Sequence, residues 1–341
     1  MRFFFSITVL FMILSLMVVS PVMAGKTITL TYSNLFPPMH AINKDVEAWA
    51  KEIEKRTNGQ VKITIFPGGT LTPSPQIYDG VVKGVSDLGM PCLSHTPGRF
   101  PVMEATDLPI GMGTGRVASH AINEFYRIVL PKELSNSKVL YLHSPPNSLI
   151  HTATKPIRKM EEMKGLRLRG TGLSAELAKL MGATPVAMPQ IQVYESLKKG
   201  VIDGTLTTYE CLEGWKQGEV VKYSTEAYNI GWAAVIACVM NLEKFNSLPR
   251  DIQKVFLDVS EEWVDVHGKT WLRIEESGKN WTLKHGGSVI NLSEEEKTKF
   301  YNAVQPRIAD YIEARNKEGL PGQDYVDLIR RLSVKYNKMF E

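Results

Sequence analysis

Segments with the two-residue period of a strand alternate with segments carrying the helical period over residues 26–90, and the alternation returns over 149–207. Strand–helix–strand connections close as parallel pairs with crossover helices, which restricts the chain to α/β architectures. In the first block, 26–32 reads as a strand and 42–57 as a helix with Val46, Trp49, Ala50 and Ile53 on one face. A strand over 61–66 follows the Asn58-Gly59 turn, then a helix over 75–83 and a strand over 86–90. A helix over 116–130 and a strand over 138–142 complete this block. In the second, 149–154 looks extended and 158–163 helical; strands over 166–169, 184–188 and 200–207 alternate with helices over 174–181 and 191–199. Beyond it, 234–240 is an apolar run suited to a buried strand crossing back to the first sheet. Residues 248–283 keep helical spacing through Ile252, Phe256, Val259, Trp263, Val266, Trp271 and Ile274; the helix either runs unbroken or breaks near Gly268. Another helix starts at Ser293-Glu294-Glu295-Glu296, a capping-box-like sequence.

Open α/β sheets bind ligands at the carboxyl ends of their strands. Asn34, Phe36 and Cys92 lie at such ends in the first block. In the second, Leu166 and Leu168 share one face of a strand and Arg167 and Arg169 the other, and Gly170 and Gly172 turn the chain into a helix that Ser174 can cap. An arginine at a strand end, beside the free N–H groups of a helix start, suits an anion, because its fork holds a carboxylate by two parallel hydrogen bonds. On pattern alone Arg169 is either that clamp or a surface charge.

The first 24 residues carry Arg2, a nearly unbroken apolar run over 3–19 and small residues before Gly25, as a cleaved secretory signal does. No cysteine follows the run, which argues against a lipid anchor, and a retained membrane anchor is the alternative to cleavage. Removing this segment, whose one charged residue is Arg2, takes the formal charge from +4 to +3. With 22% charged and 43% apolar residues the remainder has ordinary globular composition and no basic patch for nucleic acid. Its longest apolar stretch, 230–240, is too short to span a bilayer. Cys92, Cys211 and Cys238 are too few for a disulfide framework or a zinc site, leaving one disulfide or buried thiols.

Enzyme signatures are missing. There is no G-x-S-x-G, H-E-x-x-H or P-loop, and the seven histidines stand apart, without metal-ligand spacing. Gly170-Thr171-Gly172-Leu173-Ser174-Ala175 matches a dinucleotide turn, but no acid ends the next strand to hold a ribose. A lyase using His151 and Glu210 is the remaining enzymatic alternative. No cofactor or metal is expected.

Several short runs, in order, resemble the solute-binding subunits of tripartite ATP-independent periplasmic (TRAP) transporters. They are Thr57-Asn58-Gly59, Phe66-Pro67-Gly68-Gly69-Thr70-Leu71, Pro97-Gly98-Arg99-Phe100-Pro101, Lys164-Gly165-Leu166-Arg167-Leu168-Arg169, Gly182-Ala183-Thr184-Pro185, Val193-Tyr194 with Gly200-Val201-Ile202-Asp203-Gly204, and Met240-Asn241 with Leu248-Pro249. The resemblance implies a type II-like binding protein whose two lobes are linked by crossing strands and a long helix spanning both. The expected division is a signal peptide over 1–24, lobe I from 25–146 and 235–274, and lobe II from 147–234 and 275–341.

It also implies that Arg169 pairs with the carboxylate of an organic acid, that the protein works in the periplasm with TRAP membrane carrier subunits, and that it is not an enzyme. Signalling to a membrane receptor is the alternative. Relative to sialic acid binders of this group, a second arginine, a glutamate and an E-N-P run are replaced by Leu149, Cys92 and Leu206-Thr207-Thr208, and a phenylalanine by Gln190. A smaller or more apolar carboxylate is therefore expected, held by Arg169 with Asn34, Phe36, Cys92, Met188, Gln190, Thr207, Tyr209 and Trp232.

Overall fold

The computed structural model describes residues 27–341 apart from Gly231 and the side chain of Asn229. The expected signal segment, 1–24, lies outside the described residues. In chain order the strands are β1 (Ile28–Asn34), β2 (Val61–Phe66), β3 (Leu88–Met90), β4 (Ser137–His143), β5 (Leu149–Thr152), β6 (Arg167–Gly170), β7 (Thr184–Ala187), β8 (Gly204–Thr207), β9 (Tyr223–Glu226), β10 (Ile236–Asn241) and β11 (Ser288–Asn291). The helices are α1 (Ala41–Arg56), α2 (Ile77–Val82), α3 (Gly115–Val129), α4 (Leu173–Leu180), α5 (Val193–Lys198), α6 (Glu210–Gly214), α7 (Leu242–Ser247), α8 (Arg250–Lys284), α9 (Glu294–Val304), α10 (Pro306–Lys317) and α11 (Gly322–Phe340).

Two sheets result, one per lobe, ordered β2-β1-β3-β10-β4 and β11-β9-β5-β8-β6-β7. The alternating blocks give the parallel pairs: β1 with β2 and β3, and β6 with β7 and β8. The apolar run becomes β10, which returns to the first sheet and lies antiparallel between β3 and β4. Its side chains from Ile236 to Met240 are buried, as an inserted central strand requires. In the second sheet β5 is likewise antiparallel to both β8 and β9.

The first lobe's core is built on the α1 stripe. Val46, Trp49 and Ile53 are fully buried, and Trp49 meets Tyr32, Tyr141 and Phe256 edge-on. A separate cluster of Leu149, Val193, Leu197, Ile202, Tyr209, Leu212 and Val221 underlies the second sheet.

The lobes are joined in two ways. Chain segments 144–148 and 232–235 cross side by side, with Ser148 N donating to Trp232 O at 2.8 Å and Leu93 N to Val235 O at 2.9 Å. Helix α8, unbroken for 35 residues, packs on α1, α3 and β4 of one lobe and on α6 and β11 of the other. Gly268 is thus no break; it is the point of close approach to α3, where a Cβ would come within 3.0 Å of Arg116 Cα. Gly278 plays the same part ten residues on, against the Tyr209 carbonyl.

One expected boundary fails. The last part of 275–341 does not stay with the second sheet: α11 packs on α3 and on the 3-10 turn Met103–Asp107. Its buried stripe of Val326, Ile329 and Leu332 needs an apolar face, and α3 offers one, with Phe125 edge-on to Tyr325.

Candidate functional site

Between the lobes the carboxyl ends of the strands face one another around a cavity lined from both sheets. The first sheet supplies Phe36 beyond β1 and Cys92 beyond β3. The second supplies Arg169 from β6, Gln190 beyond β7 and Thr207 from β8, while Trp232 comes from a crossing segment. Six of the nine residues named from sequence therefore stand on one cavity.

Arg169 is buried, with 3% exposure, and is the one lysine or arginine on this cavity among the described residues. Its Nε donates to the Met188 carbonyl at 3.2 Å, which fixes the plane of the guanidinium. Nη1 and Nη2 have no protein partner among the described residues, and no carboxylate forms an ion pair with this side chain. Burial lowers its pKa, although not enough to discharge a guanidinium. An uncompensated buried cation is costly, so the arrangement favours whatever anion can reach it.

No other cation stands on this wall among the described residues. His95 is held neutral by burial and by Arg169, its pKa pushed down to about 3. Burial raises the thiol of Cys92 to about 11, and Cys211 also rises, burial being the main cause, so neither is a thiolate. Cys211 Sγ instead organises its neighbours: Thr207 Oγ1 and Gln190 Nε2 point to it at 2.9 and 3.2 Å, and it donates to Glu210 Oε1 at 2.9 Å. Glu210 Oε2 then accepts from His40 Nε2 at 2.8 Å, a bond between lobes. The His40 tautomer follows from geometry, because its Nδ1 already accepts from Ile42 N at the start of α1. All three cysteines are free and buried.

The wall also carries large aromatic rings. Phe36 stands 6.1 Å from Trp215 and 6.2 Å from Trp271, ring centre to ring centre. Trp271 donates its Nε1 to His143 Nδ1 at 3.0 Å, which sets its ring.

Three named residues do not line the cavity. Asn34 lies behind it, accepting from Phe36 N at 3.1 Å and donating to Asn43 at 2.9 Å; it shapes the turn that presents Phe36. Met188 contributes its carbonyl to Arg169, while its side chain packs on the second sheet's cluster. Tyr209 begins the turn into α6 facing away, with its hydroxyl 3.2 Å from Glu226.

Two further expectations are corrected. Ser174 caps nothing: α4 starts one residue earlier, and Ser174 Oγ bonds both Thr171 N and Thr171 O. With Ser174 N and Ala175 N bonded to the Thr171 and Gly172 carbonyls, the helix start has little left for an anion. The His151–Glu210 pair is not assembled either. His151 bonds Ser224 inside the sheet, its pKa pushed by burial to about 3, and Glu210 is engaged by His40 and Cys211.

Trp215, Trp271 and Ser148 line the cavity and escaped the sequence reading. Trp271 was visible only as one more apolar position on a long helix. Among the described residues there is no group of three or more His, Cys, Asp or Glu able to hold a metal, and no helix is long and apolar enough to cross a membrane.

This geometry has solved counterparts. A TRAP periplasmic solute binding protein of Desulfovibrio salexigens is 31% identical with a TM-score of 0.81, covering 92% of this chain and 98% of its own. A marine metagenome TRAP solute binding protein specific for aromatic acid ligands, solved with metahydroxyphenylacetate, is 29% identical with a TM-score of 0.87, over 91% of this chain and 99% of its own. One from Rhodoferax ferrireducens, solved with copurified benzoate, is 25% identical with a TM-score of 0.87, over 92% and 100%. The family model for bacterial extracellular solute-binding protein, family 7 (DctP), matches residues 32–314, and the chain belongs to that family.

Proposed function

We propose that the cleft captures a small monocarboxylate with an aromatic or otherwise apolar body in the periplasm and delivers it to TRAP membrane carrier subunits. The observation that carries this reading is Arg169, a buried guanidinium with two free nitrogens on a cavity whose lining includes the rings of Phe36, Trp215, Trp232 and Trp271. One cation suits one carboxylate; a second carboxylate would enter a wall with no charge to meet it. The aromatic acids bound by the metagenome and Rhodoferax proteins have this composition. Ligand contacts on both lobes favour the closed arrangement, which the His40–Glu210 bond also favours.

The chain's part in transport is to bind and release, without turnover. Mass spectrometry of the compound released on denaturing freshly purified protein, with calorimetric titration of benzoate and succinate, tests both claims. A monocarboxylate recovered unchanged and a preference for benzoate are expected. A preference for succinate would overturn the reading.

A further inference from the structure

Charge accounts for one end of the ligand; the cavity wall also holds unsatisfied groups for the other. Ser148 and Trp232 are 1% and 5% exposed, and Ser148 Oγ and Trp232 Nε1 have no hydrogen-bond partner among the described residues. Both residues line the cavity of Arg169. They belong to the two crossing segments and are tied by the Ser148 N to Trp232 O bond of 2.8 Å. Their polar neighbours are already committed: Thr207 and Gln190 donate to Cys211, and Cys92 pairs with Ser94 at 3.2 Å. Buried polar groups are nearly always paired, and an orphaned one on a binding wall is explained when the ligand supplies its partner.

Strand register gives the spacing. Leu149 of β5 stands opposite Thr207 of β8, and Arg169 of β6 opposite Thr205 of β8, so β8 separates the other two. Ser148, just before β5, is therefore two strand spacings from the strand of the arginine, roughly 10 Å. A ligand whose carboxylate meets Arg169 would present a different part of itself to Ser148 and Trp232. A hydroxyl satisfies both, its oxygen accepting from the indole N–H and its hydrogen passing to Ser148 Oγ. An unsubstituted ring would leave both unpaired.

We propose that Ser148 and Trp232 form a hydroxyl-recognising subsite, and that the ligands are ring-hydroxylated aromatic monocarboxylates in preference to unsubstituted ones. This rests on the monocarboxylate reading above and narrows it.

Calorimetric titration of the wild type, Trp232→Phe and Ser148→Ala with benzoate, 3-hydroxybenzoate and 4-hydroxybenzoate tests it. The phenylalanine keeps a ring and removes the donor; the alanine removes a single oxygen. For the wild type, the better hydroxybenzoate should bind about tenfold more tightly than benzoate, the scale of a hydrogen bond to an otherwise orphaned group. In each variant that ratio should fall to within about threefold of unity. Equal affinities in the wild type, or a ratio retained in either variant, overturn the subsite while leaving the monocarboxylate reading standing. If none of the three acids binds the wild type, the aromatic reading fails and the subsite with it.

Discussion

Arginines are buried in two places where the lobes meet, and the chain treats them differently. On the seam behind the cleft, Arg307 of α10 reaches Glu104 beside the first sheet and Glu176 of α4 beside the second. Arg315, one helical stretch further on, is 8% exposed and is held by Glu318 at 2.8 Å and the Pro101 carbonyl at 3.0 Å. Arg169, at 3% exposure, has the Met188 carbonyl and no carboxylate. The seam arginines carry their counter-charges in the sequence, and Arg307 ties α10 to Glu104 and Glu176 at once. The cleft arginine has no carboxylate partner among the described residues, and under the proposed function the ligand supplies that counter-charge.

The most severe way to break the contrast is Arg169→Ala. Benzoate affinity should fall by about 2–5 kcal/mol, the range for truncating one member of a buried charge pair. Thermal unfolding of the ligand-free variant should start no lower than in the wild type, because the lost charge was uncompensated. A ligand-free melting point lowered as far as that of a seam mutant would abolish the distinction.

Arg307→Ala should behave in the opposite sense, costing about 1–3 kcal/mol of stability, less than a fully buried pair because Glu176 is half-exposed. Differential scanning calorimetry reads the loss, and benzoate affinity should change far less than in the Arg169 variant.

His40→Asn sharpens the contrast from the cleft side. Asparagine keeps a helix cap for α1 but is too short to reach Glu210. Losing that bond should weaken benzoate binding by about 1 kcal/mol, and small-angle scattering of the ligand-free protein should report a larger radius. An unchanged radius would show that the bond does not bias closure.

The smallest effect concerns a charge handled in a third way. Burial raises the pKa of Glu275 to about 8, against the lowering effect of Tyr209 N and Glu210 N, each donating at 3.1 Å. Its carboxyl keeps a proton through neutral pH in the folded chain and not in the unfolded one. The resulting stability is complete below the ordinary carboxylate range and disappears as pH rises through about 8. Unfolding free energies should decline from pH 5 to 9, and Glu275→Gln should flatten the decline. A wild-type profile already flat over this range contradicts the assignment.

Much of the architecture was legible because periodicity reports burial directly. The parallel pairs, the return of β10 and the unbroken α8 all follow from which positions are apolar and how they repeat. Arg169 was legible as a charge at the end of a buried strand. Trp271 and Trp215 were not, since an aromatic on a helix looks the same in sequence whether it faces core or cavity. Tyr209 was misplaced for a related reason: where β8 turns into α6 the alternation stops, and the next side chain swings behind the sheet towards Glu226. The helix-start amides failed because the Gly170-to-Ser174 turn satisfies most of them internally, which spacing cannot show. The destination of α11 was hidden as well, for an amphipathic helix shows that it needs a partner without saying which.

The ring of His40 has two separate employments, one nitrogen finishing α1 and the other touching Glu210 across the gap. Were the lobes to part, only the second bond would be lost. The imidazole would remain bonded to Ile42 N of its own helix, so on the proposed reading its place at the cleft edge does not depend on the lobes being closed.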